Sequence, residues 1–293
     1  MNAEKRDHLA TILISSGAIF AGILVILFLL YLIVEGLPQL SWHFLTTASD
    51  SFSTNGGIRD QLFNSFYLVV ITLIISIPLS LGAAIYLSEY AKDNVFTRAL
   101  RLAIEVLSSL PSVVIGLFGY LIFVVNFKMG FSILAGALAL TILNIPLLTT
   151  NAEQALRQIP YLQRQAGLGL GMTKWRVTKD IVIPAAFPSI LTGVILASGR
   201  IFGEAAALIF TSGQSSIAVS YSNWNPFDPT SFLNLMRPAE TLAVNIWKLN
   251  TEGLVPNAQA ISSGAVAVLI LTILIFNICA RLFSAYISKK LGK

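Results

Sequence analysis

The sequence predicts an all-α, polytopic membrane protein with six membrane-spanning helices, and three observations predict it. Charged residues make up 11% of the chain and hydrophobic ones 55%, whereas about a quarter of a soluble domain is charged; the mean hydropathy is +0.77. Six apolar runs are each long enough, at about 1.5 Å per helical residue, to cross a hydrocarbon core about 30 Å thick. When those runs are threaded alternately, fourteen of the 19 Lys and Arg residues fall on one side.

The first run, Leu9 to Val34, follows the charged start Glu4 to Asp7. It is too long for the apolar part of a signal peptide, and Glu35-Gly36-Leu37-Pro38 follows it instead of a cleavage site, so it reads as a retained helix. Ser41 to Gln61 reads as a polar loop with a turn at Thr54-Asn55-Gly56-Gly57. The second span is Leu62 to Leu87, with Pro78 near its middle, a kink that membrane bundles tolerate. The third is Ala103 to Phe127, carrying Glu105 and Pro111, and the fourth is Phe131 to Thr150, interrupted by Asn144 and Pro146. In these two spans the prolines and Asn144 read as helix-shaping residues, and Glu105 as interfacial. Pro184 to Phe210 is the fifth and Ala258 to Ile287 the sixth. The organisation expected is a first helix and loop over 1–61, a core over 62–287, and a tail over 288–293. Within the core lie a surface helix near 160–180 and a long loop over 212–257, where Trp224, Phe227 and Trp247 invite packing at the membrane surface or against a partner. No internal repeat or low-complexity tract interrupts this plan.

Charge orients the chain. Lys5 and Arg6; Lys92, Arg98 and Arg101; Arg157, Arg164, Lys174, Arg176 and Lys179; and Arg281, Lys289, Lys290 and Lys293 share one side. Arg59, Lys128, Arg237 and Lys248 lie opposite, and Arg200 lies within a span. The positive-inside rule then puts both termini in the cytoplasm. The same distribution argues against nucleic acid as a partner, because the basic residues flank apolar runs and form no single patch. Cys279 is the only cysteine, which excludes an intrachain disulfide and a thiol zinc site, and His8 and His43 are isolated. No metal site is expected.

Two stretches carry candidate chemistry. Gln165 to Pro184 is a polar, basic, glycine-punctuated island between apolar spans, on the cytoplasmic side by the charge argument. Pro160 suits the first turn of a helix, Tyr161 to Leu170 continue it, and Gly171 can end it in a left-handed cap. Small residues at Ala166, Gly167 and Gly171 permit close approach of a partner, and Lys174, Trp175 and Arg176 offer cationic and aromatic contacts. The bland alternative is a basic helix lying on anionic lipid. The glycines at 167, 169 and 171 follow no strand, and no Gly-x-x-x-x-Gly-Lys-Ser/Thr occurs, so any ATP would be hydrolysed by a separate polypeptide. The second stretch is Gly199-Arg200-Ile201-Phe202-Gly203-Glu204. Four residues apart, Arg200 and Glu204 can pair on one helix face; an unpaired charge in lipid is costly, so both should face the bundle or a water-filled path. Gly199 and Gly203 would let another helix come close. Such a pair could contact an anionic substrate, or merely pin helices together.

The spacing of Gln165-Ala166-Gly167, three residues, Gly171, nine residues, then Ile181-Val182-Ile183-Pro184 resembles the EAA motif of ABC-importer permeases. Gln165 and Gly167 depart from its usual Glu and Ala, and Ile183 stands for Leu. Leu110-Pro111-Ser112 through Gly119, Ile183-Pro184 through Pro188, Thr192 through Leu196, and Gly199 through Glu204 resemble phosphate-importer permeases of the PstA family, with Ala205 where that family often has Thr. The resemblance runs from Leu62 to the C-terminus. It implies a type I ABC-importer permease arrangement in a bacterial or archaeal plasma membrane. It also implies a transport subunit with no catalytic site of its own, moving phosphate inward by alternating access. The implied partners are a PstC-like second permease, a PstB-like ATPase dimer holding ATP and Mg, and an external PstS-like phosphate-binding protein. Gln165, Ala166, Gly167, Gly171, Lys174, Trp175, Ile181 and Pro184 fall in the implied ATPase-coupling segment, and Arg200 and Glu204 in the implied substrate pathway. Another oxyanion as cargo, a secondary transporter and a membrane scaffold are the competing readings.

Overall fold

A computed structural model describes residues 3–49, 56–215, 219–252 and 257–290. Thr54 and Asn55 of the expected turn, and the tail beyond residue 290, lie outside the described residues. Five helical stretches are long and apolar enough to cross a membrane: Ala10–Gln39, Arg59–Tyr90, Ile133–Arg157, Lys174–Phe202 and Ala258–Tyr286. A sixth candidate is a pair of helices bent by 102°. The described chain is built almost wholly of helices.

Helix α1 (Ala3–Gly36) projects from the bundle, with none of its apolar window buried within the chain. It is fastened at its end to α12 (Ala258–Lys290), where Gly36 lies so close that a Cβ would overlap the Ser263 carbonyl. The short α2 (Trp42–Thr46) is capped by the Ser41 hydroxyl, which accepts the N–H of Phe44 at 3.1 Å. Helix α3 (Arg59–Ile85) continues through a widened π-helical turn, Tyr86–Tyr90, closed by Ala91 N–H donating to the Tyr86 carbonyl.

The expected third span is not one helix. α4 (Val95–Ser109) is amphipathic, and Asn94 caps it by accepting Thr97 N–H at 2.9 Å. It stops at Leu110, whose ψ of 135° is the extended value that a following proline enforces. After Pro111 the chain turns through 102° into α5 (Ser112–Gly119), which continues as a π-helix over Tyr120–Asn126. Only this second part runs into the bundle, so Ala103 and Glu105 belong to α4.

Helix α6 (Ile133–Arg157) is the most buried span and packs most extensively on α3. Asn144 keeps its amide local, donating to the Leu140 carbonyl at 2.8 Å. The first N–H groups of α6, which have no intrahelical acceptor, donate to loop carbonyls: Ile133 to Arg237 at 3.0 Å and Leu134 to Leu235 at 2.9 Å. Then come α7 (Tyr161–Gly169), α8 (Lys174–Val177) and α9 (Ile183–Phe202), the last two joined by a π-helical turn, Thr178–Val182. The fifth span therefore begins at Lys174, earlier than Pro184, and ends at Phe202, short of Phe210. At Gly203 the helix breaks, and α10 (Ala206–Thr211) restarts it against α5, where Gly116 admits Ala207: a Cβ on Gly116 would stand 2.7 Å from the Ala207 Cα. The long loop over 212–257 contains a helix that its proline and glycine content hid, α11 (Leu242–Glu252).

Candidate functional site

At the end of the bundle where α3 and α6 finish and α9 begins, α7 lies as a separate short helix with Pro160 as its N-cap. Gly171, with φ of +78°, ends it: Met172 N–H donates to the Gly167 carbonyl and Gly171 N–H to the Leu168 carbonyl. That is the left-handed cap the sequence predicts. Gln165 and Ala166 are exposed, and so are Tyr161, Leu162, Leu170 and Trp175, leaving an apolar surface with basic residues around it. Lys174 stands 4.9 Å from the Tyr90 ring centroid, a cation–π contact. Pro184 is exposed in the first turn of α9.

Gly167 serves a different purpose from the one expected. It is buried, and a Cβ there would stand 2.8 Å from both Val177 Cγ2 and Ile181 Cδ1. Its missing side chain lets α7 settle on the α8–α9 limb of its own chain. Of the three small residues, only Ala166 and Gly171 face outward.

Beneath α7 lies a charged network in which the basic flanks of the spans meet two carboxylates, Glu89 and Glu153. Arg164 donates to both carboxylate oxygens of Glu89, at 2.9 Å from Nη2 and 3.3 Å from Nε. It also donates to the carbonyls of Leu156, at 2.8 Å, and Ile159. The two side chains are 16% and 7% exposed. Arg157 donates to Glu153 at 2.9 Å and to the Leu87 carbonyl at 3.3 Å, and Arg101 of α4 reaches Glu153 at 2.7 Å. Three helix ends and α4 thus meet through two carboxylates, beside an open pocket of about 540 Å³ lined by Glu89, Arg157, Arg164, Gln165, Lys174 and others. The i,i+4 spacing of Glu153 and Arg157 was legible in advance. The pairing of Glu89 with a residue 75 positions away was not.

Arg200 and Glu204 sit near the far end of α9, roughly 40 Å along the helix from Lys174 at 1.5 Å per residue. The structure does not pair them. The helix ends between them, and the Glu204 carboxylate accepts Ala207 N–H at 3.1 Å, capping α10. Arg200 is exposed and takes part in no ion pair among the described residues. Among the described residues only one of the two glycines admits a neighbouring helix: α12 approaches Gly199 through Asn277 and Ile273, while Gly203 meets its own helix.

The same end of the bundle holds a buried polar cluster whose members lie too far apart in the chain for spacing to reveal. Arg237 is 2% exposed and donates from Nη2 to Asn64 Oδ1 at 2.7 Å. Gln61 donates to Glu240 at 2.9 Å, and Tyr221 donates to Asp60 at 2.8 Å. Burial pushes the Arg237 guanidinium below its ordinary value and the Glu240 carboxyl above its own, although Gln61 and Lys248 oppose the latter shift.

The chain is similar to known proteins along most of its length. The chain is 51% identical over 292 residues to the probable ABC transporter permease protein YqgI of Bacillus subtilis (strain 168), covering 99% of each. It is 31% identical to the phosphate transport system permease protein PstA of Yersinia pestis, over 96% of this chain and 91% of that one. Its fold matches a chain of a bacterial alginate ABC transporter, crystallised with an alginate pentasaccharide-bound periplasmic protein, with a TM-score of 0.68 at 15% identity over 97% of this chain and 96% of that chain. Residues 76–293 match the family model described as binding-protein-dependent transport system inner membrane component. The chain belongs to that family, the membrane-spanning permease subunits of ABC importers, which work with an ATPase and a substrate-binding protein.

Proposed function

We propose that this chain is a permease subunit of an ATP-driven phosphate importer, moving inorganic phosphate inward by alternating access. The observation that carries the reading is the platform of α7 and α8: an exposed apolar surface among basic residues, at the end of the bundle where the basic residues concentrate. An ATPase can grip such a surface, and Gln165, Ala166, Lys174 and Trp175 are its outward contacts. Gly167 and Ile181 shape it from within, while Gly171 and Pro184 lie at its surface, where α7 ends and α9 begins. The platform faces the cytoplasm, with both termini on the same side.

Phosphate as cargo is supported by the PstA relative and by Arg200, an exposed cation that takes part in no ion pair among the described residues, in a span where lipid would penalise it. Arg200 contacts the anion transiently. Glu204 orders the break between α9 and α10 beside it. The remaining parts are a PstC-like permease covering the Arg200 face, a PstB-like ATPase dimer that binds ATP and Mg²⁺, and a PstS-like binding protein delivering phosphate to the outer surface. This chain contributes no hydrolytic residue.

The test is radiolabelled phosphate uptake in cells making this chain with its partner subunits, challenged with excess sulfate, molybdate or phosphonate. Chain-dependent, ATP-dependent uptake that resists these competitors is expected, and Arg200→Ala should abolish it with the complex still assembled. Competition by another oxyanion would change the cargo. Uptake that survives ATP depletion with ion gradients held would favour a secondary transporter, and no chain-dependent uptake of any anion would favour a scaffold.

A further inference from the structure

Helix α7 is joined to the rest of the bundle in two unequal ways. Its backbone packs on α8 and the π-helical turn after it, through Gly167 against Val177 and Ile181. These elements form one limb with α9. Towards α3 and α6, beyond the short connection 158–160 from α6, the polar joint is a single side chain: among the described residues, Arg164 is the only α7 side chain that makes a hydrogen bond. α7 itself contains no Asp or Glu. Arg164 reaches past the pocket to Glu89 and to the carbonyls of Leu156 and Ile159. Its planar fork suits this work, because it can grip a carboxylate bidentately and still donate to carbonyls at a helix C-terminus, where cations are favoured.

The receiving element is unusual as well. Glu89 lies in the π-helical turn that ends α3, and the same turn takes Arg157 on the Leu87 carbonyl and Lys174 on the Tyr90 ring. Widened turns of this kind recur at functional sites in helices. Three cations from α6, α7 and α8 thus converge on one short stretch of α3. Because Arg164 and Glu89 are largely buried, each holds the other in place far more firmly than an exposed pair does.

We propose that the Arg164–Glu89 pair is the link through which movement of α7 is carried to α3 and α6, making Arg164 a positioning residue for coupling. Without the link, α7 would still ride on its own limb and still present its surface, but its displacement would reach the paired spans only through the packing of that limb on them. The proposal rests on reading α7 as the ATPase-docking helix.

The experiment uses the whole complex, reconstituted in proteoliposomes, with ATP hydrolysis, anion uptake and complex yield measured together. Arg164→Met is expected to lower the anion transported per ATP about tenfold or more. Hydrolysis, complex yield and the half-saturating concentration of loaded binding protein should stay near wild type. Arg164→Lys should recover part of the ratio, because an ammonium can still meet Glu89. Arg98→Met, which removes an exposed pair with Asp93, should leave it unchanged. A wild-type ratio in Arg164→Met would overturn the proposal. So would uptake and hydrolysis falling in step with yield and unrelieved by lysine, the signature of a merely structural pair. The ratio is read with whichever oxyanion the wild-type complex carries, so an error in the cargo is detected separately. A second readout needs no cargo: ATP-dependent labelling of Thr150→Cys, an exposed position of α6 on an open pocket, in a Cys279→Ser background. That dependence should be present in wild type and lost with Arg164→Met; its persistence would overturn the proposal.

Discussion

Replacing Arg237 with methionine is expected to leave the chain at least as stable as it is, although it deletes a buried side chain from the centre of a polar cluster. Arg237 is 2% exposed, and its Nε and Nη1 have no hydrogen-bond partner among the described residues. Only the 2.7 Å bond from Nη2 to Asn64 Oδ1 is strong; the other, to the Phe232 carbonyl, is 3.5 Å. Among the described residues Arg237 forms no ion pair, and the carboxylate that acts on it most, Asp60, is engaged by Arg59 at 3.0 Å and by Tyr221. Each unpartnered buried donor costs about 1–3 kcal/mol, and an uncompensated buried charge adds to that. Methionine removes both costs and keeps most of the volume; against it stands one lost bond to Asn64, again about 1–3 kcal/mol. The balance favours methionine by roughly 1–3 kcal/mol. Alanine also removes the charge but opens a cavity of some 80 Å³, which at ~24 cal/mol per Å³ sets it about 2 kcal/mol below methionine. Thermal unfolding of the detergent-solubilised chain should therefore rank Arg237→Met at or above wild type and Arg237→Ala below Arg237→Met. A methionine variant melting with the alanine one, several degrees below wild type, would refute the reasoning and show that the guanidinium stabilises the cluster.

Three further substitutions probe packing, backbone conformation and a buried carboxyl elsewhere in the chain. Gly36→Leu should loosen α1 from α12, since even a Cβ would overlap the Ser263 carbonyl and stand 2.5 Å from the Ala267 Cβ; a loss of about 1–3 kcal/mol is expected, read as a lower melting temperature. Gly171→Ala places a Cβ on a backbone at φ +78°, which should cost about 1–2 kcal/mol and appear as faster hydrogen exchange in α7. Glu240, whose carboxyl burial raises, binds its proton more tightly in the folded chain than in the unfolded one. Its stabilising contribution is therefore full below the ordinary carboxylate range and lost as pH rises through the raised value. Glu240→Gln should flatten that limb of a melting-temperature profile against pH, and an unchanged slope would count against a buried carboxyl there.

The parts of this molecule that were legible in the sequence depend on local chemistry, and those that were not depend on distant partners. Apolar length gave the spans, and Gly171 announced its own cap because a left-handed residue is a property of one position. Pro111 was visible, but hydrophobicity runs smoothly through it, and only its effect on Leu110 shows that a 102° bend replaces a straight third span. The helical spacing of Arg200 and Glu204 suggested a pair, yet pairing requires that the helix continue, and Glu204 is spent on restarting it at Ala207. That break has a structural purpose. It lets α10 turn back against α5 at Gly116, so the close approach expected around Gly199 and Gly203 is partly made one helix later. Arg200 consequently keeps its charge uncommitted at the end of α9 while Arg164, near α7, has its charge fully engaged. In the sequence the two arginines look alike in one respect, each lying close to glycines. The fold separates them: a guanidinium held by a carboxylate and two helix-end carbonyls can transmit force, and one left without an ion pair in a span can meet a mobile anion.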